Sequence, residues 1–512
     1  MQQNYLKNYI NIYIWKLLSI ISGFLTLLIV VPHLSNDAEL YGIYSFCISF
    51  TLYLSYADIG FLNAGQKYAA EAFARNNIKE EVEILGFTGA ILLLMIAPFS
   101  IAMIFFSFNP DLLMSNLSEK GKDVIGSIFL ILGTVLPFQI IIQRLVQSIL
   151  IIRIKDYISL RVDVIFNLIK IGSVFYFFSG DSYLVVEYYL FITLITILSS
   201  VIILMIIKKT ENYNFLLFFK SIRLRKKEFS LTKKLAYSSL ILTIGWIIYY
   251  EIDLIIIGKY FGPKDVAIYA IGFTFLNFLR TLWNSVFSPF SQRFNHFVAL
   301  NSELELKKLI KIIIDYTLPL CIIVTLVLVL ASKKITYYWV GEYYSDSILI
   351  IQTLIFGTVF SFVTQPASFY FTSKTKYKFI YLIAIILPTA FFISFILLVP
   401  NFGLLGIAIS KSFAMFLGFL ISMVGISQIY NPIIAIKKWF FNLLIMCLLI
   451  SFGFTLILDN FFISQEKSSA DLVILMFTSG FIIVISYFLV LVSKKKQRND
   501  LKQIYQMILI KF

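Results

Sequence analysis

The chain has 512 residues, 59% of them apolar and only 14% charged, whereas about a quarter of the residues in a soluble domain are charged. So little charge cannot cover the several soluble domains that such a length would need; disorder, collagen-like repeats and a disulfide scaffold are excluded on the same grounds. The formal charge of +15 suits either nucleic acid or a membrane protein with basic loops, and its placement in loops between apolar runs excludes nucleic acid.

A helix needs about 20 apolar residues to cross a bilayer core. Runs of that kind predict spans at 12–31, 41–62, 84–106, 124–150, 158–178 and 184–207. Six more follow at 236–257, 266–290, 311–331, 346–371, 379–399 and 403–427, and two at 438–458 and 470–493. The runs are continuous, not alternating, so a β-barrel does not fit. The expectation is an all-α polytopic membrane protein with about 14 transmembrane helices. The first run lacks a charged leader and a small-residue cleavage site, so it reads as a retained span.

The longest polar interruption, 208–235, carries nine lysines and arginines around the apolar core Phe215-Leu-Leu-Phe-Phe219. It reads as a basic linker, partly an amphipathic helix on the membrane surface. The tail 494–512 is also basic. Cys47, Cys321 and Cys447 all lie in apolar runs and form no CxxC pair, so neither a zinc site nor a disulfide is expected.

An even number of spans puts both termini on one side. If that side is cytoplasmic, the outer loops hold only Lys120, Lys122, Lys259, Lys264, Lys333, Lys334 and Lys467, seven of the 43 basic residues. Positive-inside asymmetry supports that orientation.

The chain also repeats itself. At an offset of 225, Glu39-Leu-Tyr-Gly-Ile-Tyr44 lies over Lys264-Asp-Val-Ala-Ile-Tyr269, and Asn76 over Asn301; Tyr157 and Tyr377 open matching segments at an offset of 220. Two six-helix units of like topology are the parallel repeats of a transporter that rocks around a central site. The expected organisation is a six-helix bundle over 1–207, the linker 208–235, a second, pseudo-symmetric bundle over 236–427, two additional helices over 428–493 and the tail 494–512.

Asp253-Leu-Ile-Ile-Ile-Gly-Lys-Tyr-Phe-Gly262, followed by Val266-Ala-Ile-Tyr269, resembles the seventh-to-eighth helix signature of polysaccharide flippases. Tyr41-Gly-Ile-Tyr44, Ala57-Asp-Ile-Gly-Phe-Leu-Asn-Ala64 and Lys67-Tyr-Ala-Ala-Glu71 are similar to the second-helix pattern of the same proteins. The resemblance covers about residues 10–430 by topology. It points to the superfamily that also holds multidrug extruders and the lipid II flippase. It implies a Wzx-type flippase for O-antigen or capsule repeat units in a bacterial inner membrane. Such a protein moves undecaprenyl-pyrophosphate-linked oligosaccharide to the outer leaflet and works beside a polysaccharide polymerase and chain-length machinery.

Charges inside spans are costly and face a cavity or a partner. Lys170, Arg280 and Lys411 sit on three different helices, and lysine and arginine suit a pyrophosphate. Pairing with a buried acid is the competing account; Asp163, seven residues before Lys170, shares its helix face. Lys16 and Arg144 lie nearer the cytoplasmic face, either snorkelling or attracting the headgroup at the entry side. Glu251 and Asp253, in the seventh span, are candidates for coupling transport to H+ or Na+, or for pairing with Arg280. Asp58 reads as a gating or ion-contacting acid. Tyr249, Tyr250, Trp246 and Trp283 are candidates for stacking on sugar rings, against plain packing. Pro137, Pro319, Pro366 and Pro388 interrupt spans, as hinges or static kinks.

No GxxxxGK[ST] loop, GxSxG elbow or HExxH pair occurs in the sequence, so ATP drive and familiar hydrolytic chemistry have no support. No cofactor, metal site or catalytic residue is expected. The rival readings are a multidrug extruder, a lipid II flippase and a membrane polysaccharide polymerase.

Overall fold

In the computed structural model the described residues are 2–55, 60–179, 183–211, 213–463 and 466–493. They form eighteen α-helices joined by short turns, with no strand among them. The chain divides into two compact units, 1–267 and 268–512.

The first unit contains α1 (Gln2–Leu34), α2 (Ala38–Ser55), α3 (Phe61–Ala74), α4 (Ile78–Phe108), α5 (Glu119–Thr134) and α6 (Leu136–Ile152). They are followed by α7 (Tyr157–Phe177), α8 (Val185–Glu211), α9 (Phe215–Ser221), α10 (Lys226–Tyr250) and α11 (Asp253–Tyr260). The second unit takes most of α12 (Pro263–Ala299), then α13 (Glu303–Val340), α14 (Ser347–Gly357), α15 (Ser361–Ser373), α16 (Tyr377–Ser427), α17 (Ile433–Phe461) and α18 (Ser469–Val492).

Among the described residues nine helical stretches are long and apolar enough to cross a membrane, and the bent pair α5–α6 makes ten. This is an all-α, multi-pass membrane fold. Among the described residues, each span expected from the sequence falls mainly on helix. Two of them share the 51-residue α16, which departs from helical geometry at Gly403 (φ 53°, ψ −130°). The remaining three lie on α2, α7 and α10–α11. The 42° bend between α5 and α6 falls just before Pro137, whose ring denies the preceding turn a hydrogen bond. Pro319 lies inside α13, and Pro388 inside α16 well before its break at Gly403.

The core of the first unit is a cluster of aliphatic and small residues where α3, α4, α6, α8 and α9 meet, among them Ala72, Leu85, Ile149, Ile207 and Phe218. Beside it, the carboxylate of Glu81, with no exposed surface, takes a two-pronged ion pair from Arg153, at 2.7 and 3.1 Å. The guanidinium also lies against the rings of Phe73 and Tyr213, and Glu211 binds Lys155 at 2.5 Å. In the second unit α13 is the central element. It packs against α14, α15, α17 and α18. Buried Asp315 on α13 holds Lys438 of α17 at 2.6 Å, and Tyr487 of α18 donates to the Tyr316 carbonyl.

The turns between spans repeat their geometry. Asn76 (φ 57°) and Asn301 (φ 52°) are both left-handed, as are Asn116 (φ 53°) and Gly341 (φ 95°), each pair 225 positions apart. Ile154 and Thr375, both left-handed too, close the turns before α7 and α16. The amides after them make matching bonds, Lys155 to the Leu150 carbonyl and Lys376 to the Phe371 carbonyl. These are the helix-ending bonds that a left-handed residue permits.

The sequence places the start of the second bundle at 236, whereas the packing divides at 267. The seventh span packs within the first unit: Phe229 of α10 stacks on Phe61 of α3, and α11 lies against α2. Gly42 of α2 explains part of the Tyr-Gly-Ile-Tyr motif. A Cβ there would stand 1.8 Å from the Pro263 carbonyl oxygen, so only glycine admits that approach.

Candidate functional site

Each unit carries a group of polar residues within its spans. In the first unit they line α7. Asp163, Asn167 and Lys170 are spaced i, i+4 and i+7, which puts all three on one face. The Lys170 amine donates to Thr196 Oγ1 of α8 at 2.6 Å, and the Ser199 hydroxyl of α8 donates to the Thr196 carbonyl at 2.9 Å. The carboxylate and the amine also interact electrostatically. The Asn167 amide donates to Thr26 Oγ1 and to the Ser22 hydroxyl of α1, at 2.9 and 2.6 Å. Asn167 adds the tie to α1. Satisfied hydrogen bonds of this kind hold three helices together where no water competes.

In the second unit the group follows α12, the least apolar of the nine long stretches. Phe273, Asn277, Arg280 and Asn284 fall at successive spacings of four, three and four and form one stripe. Arg280 is half-buried, and its Nη1 donates to Asn277 Oδ1 at 2.9 Å. Gln365 of α15 donates to Asn284 at 3.4 Å, and both Thr281 and Asn284 are exposed. Lys411 of α16 has no exposed surface. Its amine stands 4.9 Å from the centre of the Phe273 ring and 5.8 Å from that of Phe391, a cation–π cradle. Lys411 therefore meets the same stripe of α12 that carries Arg280 two turns on. The structure thus places Lys411 against Phe273, two turns from Arg280 on the same helix, and Lys170 belongs to the other unit.

The acids of the seventh span sit at a helix break. Glu251 caps the end of α10 and Asp253 opens α11. Both are buried, Asp253 completely, and Tyr53 of α2 lies within electrostatic reach of the two carboxylates.

Lys16 is exposed on α1. Its charge acts on Asp156, at the turn before α7, whose carboxyl is pushed up by burial, against a backbone hydrogen bond and the lysine, which both pull it down. Arg144 is half-buried on α6. Asp58 lies outside the described residues, and nothing is described of the Trp246 side chain. Trp283 and Tyr249 are buried in packing, Trp283 against Phe287 and Tyr249 edge-on to Tyr250, which leaves neither ring open to a sugar here. Among the described residues no group of histidine, cysteine, aspartate or glutamate has metal-binding geometry.

Sequence reasoning missed Asn277, Asn284 and Gln365 because it searched the spans for charge. The signal available was the amide spacing on the least apolar span.

No family model and no curated protein matches the chain. Solved structures do. Lipid II flippase MurJ in an inward closed conformation superposes with a TM-score of 0.68 at 17% identity, covering 99% of this chain and 100% of that one. The fold is one that a flippase and drug transporters share. An inward-facing multidrug resistance MATE family transporter of the MOP superfamily matches with a TM-score of 0.61 at 12% identity, covering 79% of this chain and 95% of its own. A mutant of the Vibrio cholerae MATE transporter VcmN matches at 0.52 and 10% identity, covering 84% and 99%. At these identities the likeness establishes the fold.

Proposed function

We propose that this protein is a flippase for undecaprenyl-pyrophosphate-linked oligosaccharide repeat units, moving them from the cytoplasmic to the outer leaflet of a bacterial inner membrane by alternating access. The carrying observation is the polar stripe of α12, with Arg280 at its middle and the amides Asn277, Asn284 and Gln365 around it. A spanning helix bears such a stripe where a hydrated, polar substrate passes. The guanidinium serves the pyrophosphate, and its planar fork matches two phosphate oxygens at once. The amides serve sugar hydroxyls, which both donate and accept.

Lys411, lying against the same stripe, raises the positive potential around it. Lys170, with Asp163 on its face, holds α7 to α8, so the two position the first unit's helices. Lys16 and Arg144 draw the headgroup at the entry side. Glu251 and Asp253, at the break between α10 and α11, take up H+ or Na+ and couple the cycle to a gradient. Asp58 serves the gate on the cytoplasmic side. The product is handed to a polysaccharide polymerase with its chain-length machinery.

Coverage supports a flippase over drug efflux, since the lipid II flippase matches 99% of this chain and the inward-facing extruder 79%. The same observation favours, as a second reading, lipid II itself as substrate.

Mass spectrometry of polyprenyl-linked oligosaccharides from cells lacking the protein separates these readings. Build-up of one complete repeat unit on its lipid, with loss of surface polysaccharide, is the expected result. Build-up of lipid II moves the assignment to the second reading, and unchanged lipid intermediates with normal surface polysaccharide overturn both.

A further inference from the structure

The segment after α8 is held to the first unit on one side and open on the other. Phe218 and Ser221 of α9 are buried against α4. The approach is close: a Cβ on Gly86 of α4 would stand 2.5 Å from the Ser221 carbonyl oxygen. Just beyond, Arg225 is fixed by Glu83 of α4 at 2.9 Å and by Glu228 at 3.8 Å. The depth of this contact is informative. The charges of α4 end at Glu83, and beyond Leu85 the helix is apolar. Segment α9 therefore lies where a spanning helix passes from headgroups to hydrocarbon.

The open side carries Leu216 and Phe219 of α9 and, just beyond it, Leu224, 77%, 62% and 59% exposed. Around them stand Lys208, Lys209, Lys220, Arg223, Lys226 and Lys227, all exposed, and no ion pair forms at any of the six among the described residues. Large apolar side chains ringed by unpaired cations, at interface depth, suit a surface that is apolar beneath and negative above.

We propose that this face docks on the anionic phospholipid headgroups of the adjoining leaflet, with Leu216, Phe219 and Leu224 inserted below them. Because α9 is fixed to α4, the leaflet holds the first unit directly. The proposal needs only the membrane-spanning fold and is independent of the transported substrate.

Two measurements on the full chain test it. In the first, a nitroxide is placed by Phe219→Cys after the three native cysteines are replaced by alanine. The protein is then reconstituted in vesicles of phosphatidylcholine with phosphatidylglycerol. The label is expected at the headgroup–acyl boundary. A label in water overturns the proposal, and so does spin–spin broadening from a second copy on this face.

In the second, phosphatidylglycerol binding to the purified protein is titrated by native mass spectrometry, with phosphatidylcholine as reference. Joint replacement of Lys220, Arg223, Lys226 and Lys227 by glutamine is expected to weaken phosphatidylglycerol binding at least roughly tenfold and to leave phosphatidylcholine unchanged. Rising salt should weaken the native protein in the same sense. Equal affinity for both lipids, or an unchanged affinity in the variant, overturns the anionic assignment. Thermal unfolding of the variant is expected to match the parent, because all four side chains project from the surface.

Discussion

At the residue scale, the Glu81–Arg153 pair and the left-handed residues give the sharpest expectations. Glu81 is wholly buried and Arg153 supplies both of its hydrogen bonds. Arg153→Met leaves a buried carboxylate without its partner, which costs about 3–5 kcal/mol. Joint replacement by Glu81→Leu and Arg153→Met removes both charges and should recover most of that loss. Thermal unfolding of the purified protein reads both outcomes. Ile154 is β-branched and left-handed (φ 53°), a conformation that costs an L-residue roughly 1–2 kcal/mol. Ile154→Asn should therefore raise the unfolding temperature. Asn76 and Asn301, the two asparagines at equivalent turns, were visible in the sequence. The Ile154–Thr375 match was not, because neither residue type signals a positive φ.

At the scale of elements, apolar run length located the spans because hydrocarbon thickness alone sets it. The breaks within spans depend on local detail. Pro137 marked the α5–α6 bend, yet Pro319 and Pro388 look alike in sequence and mark no break, the one in α16 falling at Gly403 instead. The break between α10 and α11 has no proline at all, and falls at Glu251–Ile252. The contact of α9 with α4 rests on the space at Gly86. Gly86→Val would drive its side chain into the Ser221 backbone, an overpacking that costs roughly 1–3 kcal/mol. The expected result is faster tryptic cleavage at Lys220 and Arg223 with the remaining helices intact. Lys438→Ala removes the partner of buried Asp315, a charged hydrogen bond worth about 1.5–3 kcal/mol. It should loosen α17 from α13 and speed hydrogen exchange in α17 more than in α14.

At the scale of the whole molecule, the repeat was legible as span order and a few matching residues. The turn geometry now supports it through residues of unlike type, Asn116 with Gly341 and Ile154 with Thr375. A positive φ is shared at these positions where side chains have diverged. The candidate site was half legible. Arg280 and Lys411 stood out because charge inside a span is rare. Their common stripe did not, since it needs α16 to fold back against α12. Complete burial of Lys411 was equally invisible, because exposure belongs to the packed helices and not to any one of them.

The central claim is that the α12 stripe carries a pyrophosphate-linked oligosaccharide across the membrane. It is tested most directly in proteoliposomes loaded with a labelled undecaprenyl-pyrophosphate oligosaccharide, by following the label's exposure to an enzyme added outside. The native protein should expose the inner-leaflet pool over time. Arg280→Ala should slow that exposure at least roughly tenfold, the loss of one charged hydrogen bond worth about 1.5–3 kcal/mol, while Arg280→Lys keeps part of the rate. Exposure no faster than in protein-free vesicles, or an unchanged rate in Arg280→Ala, would contradict the account.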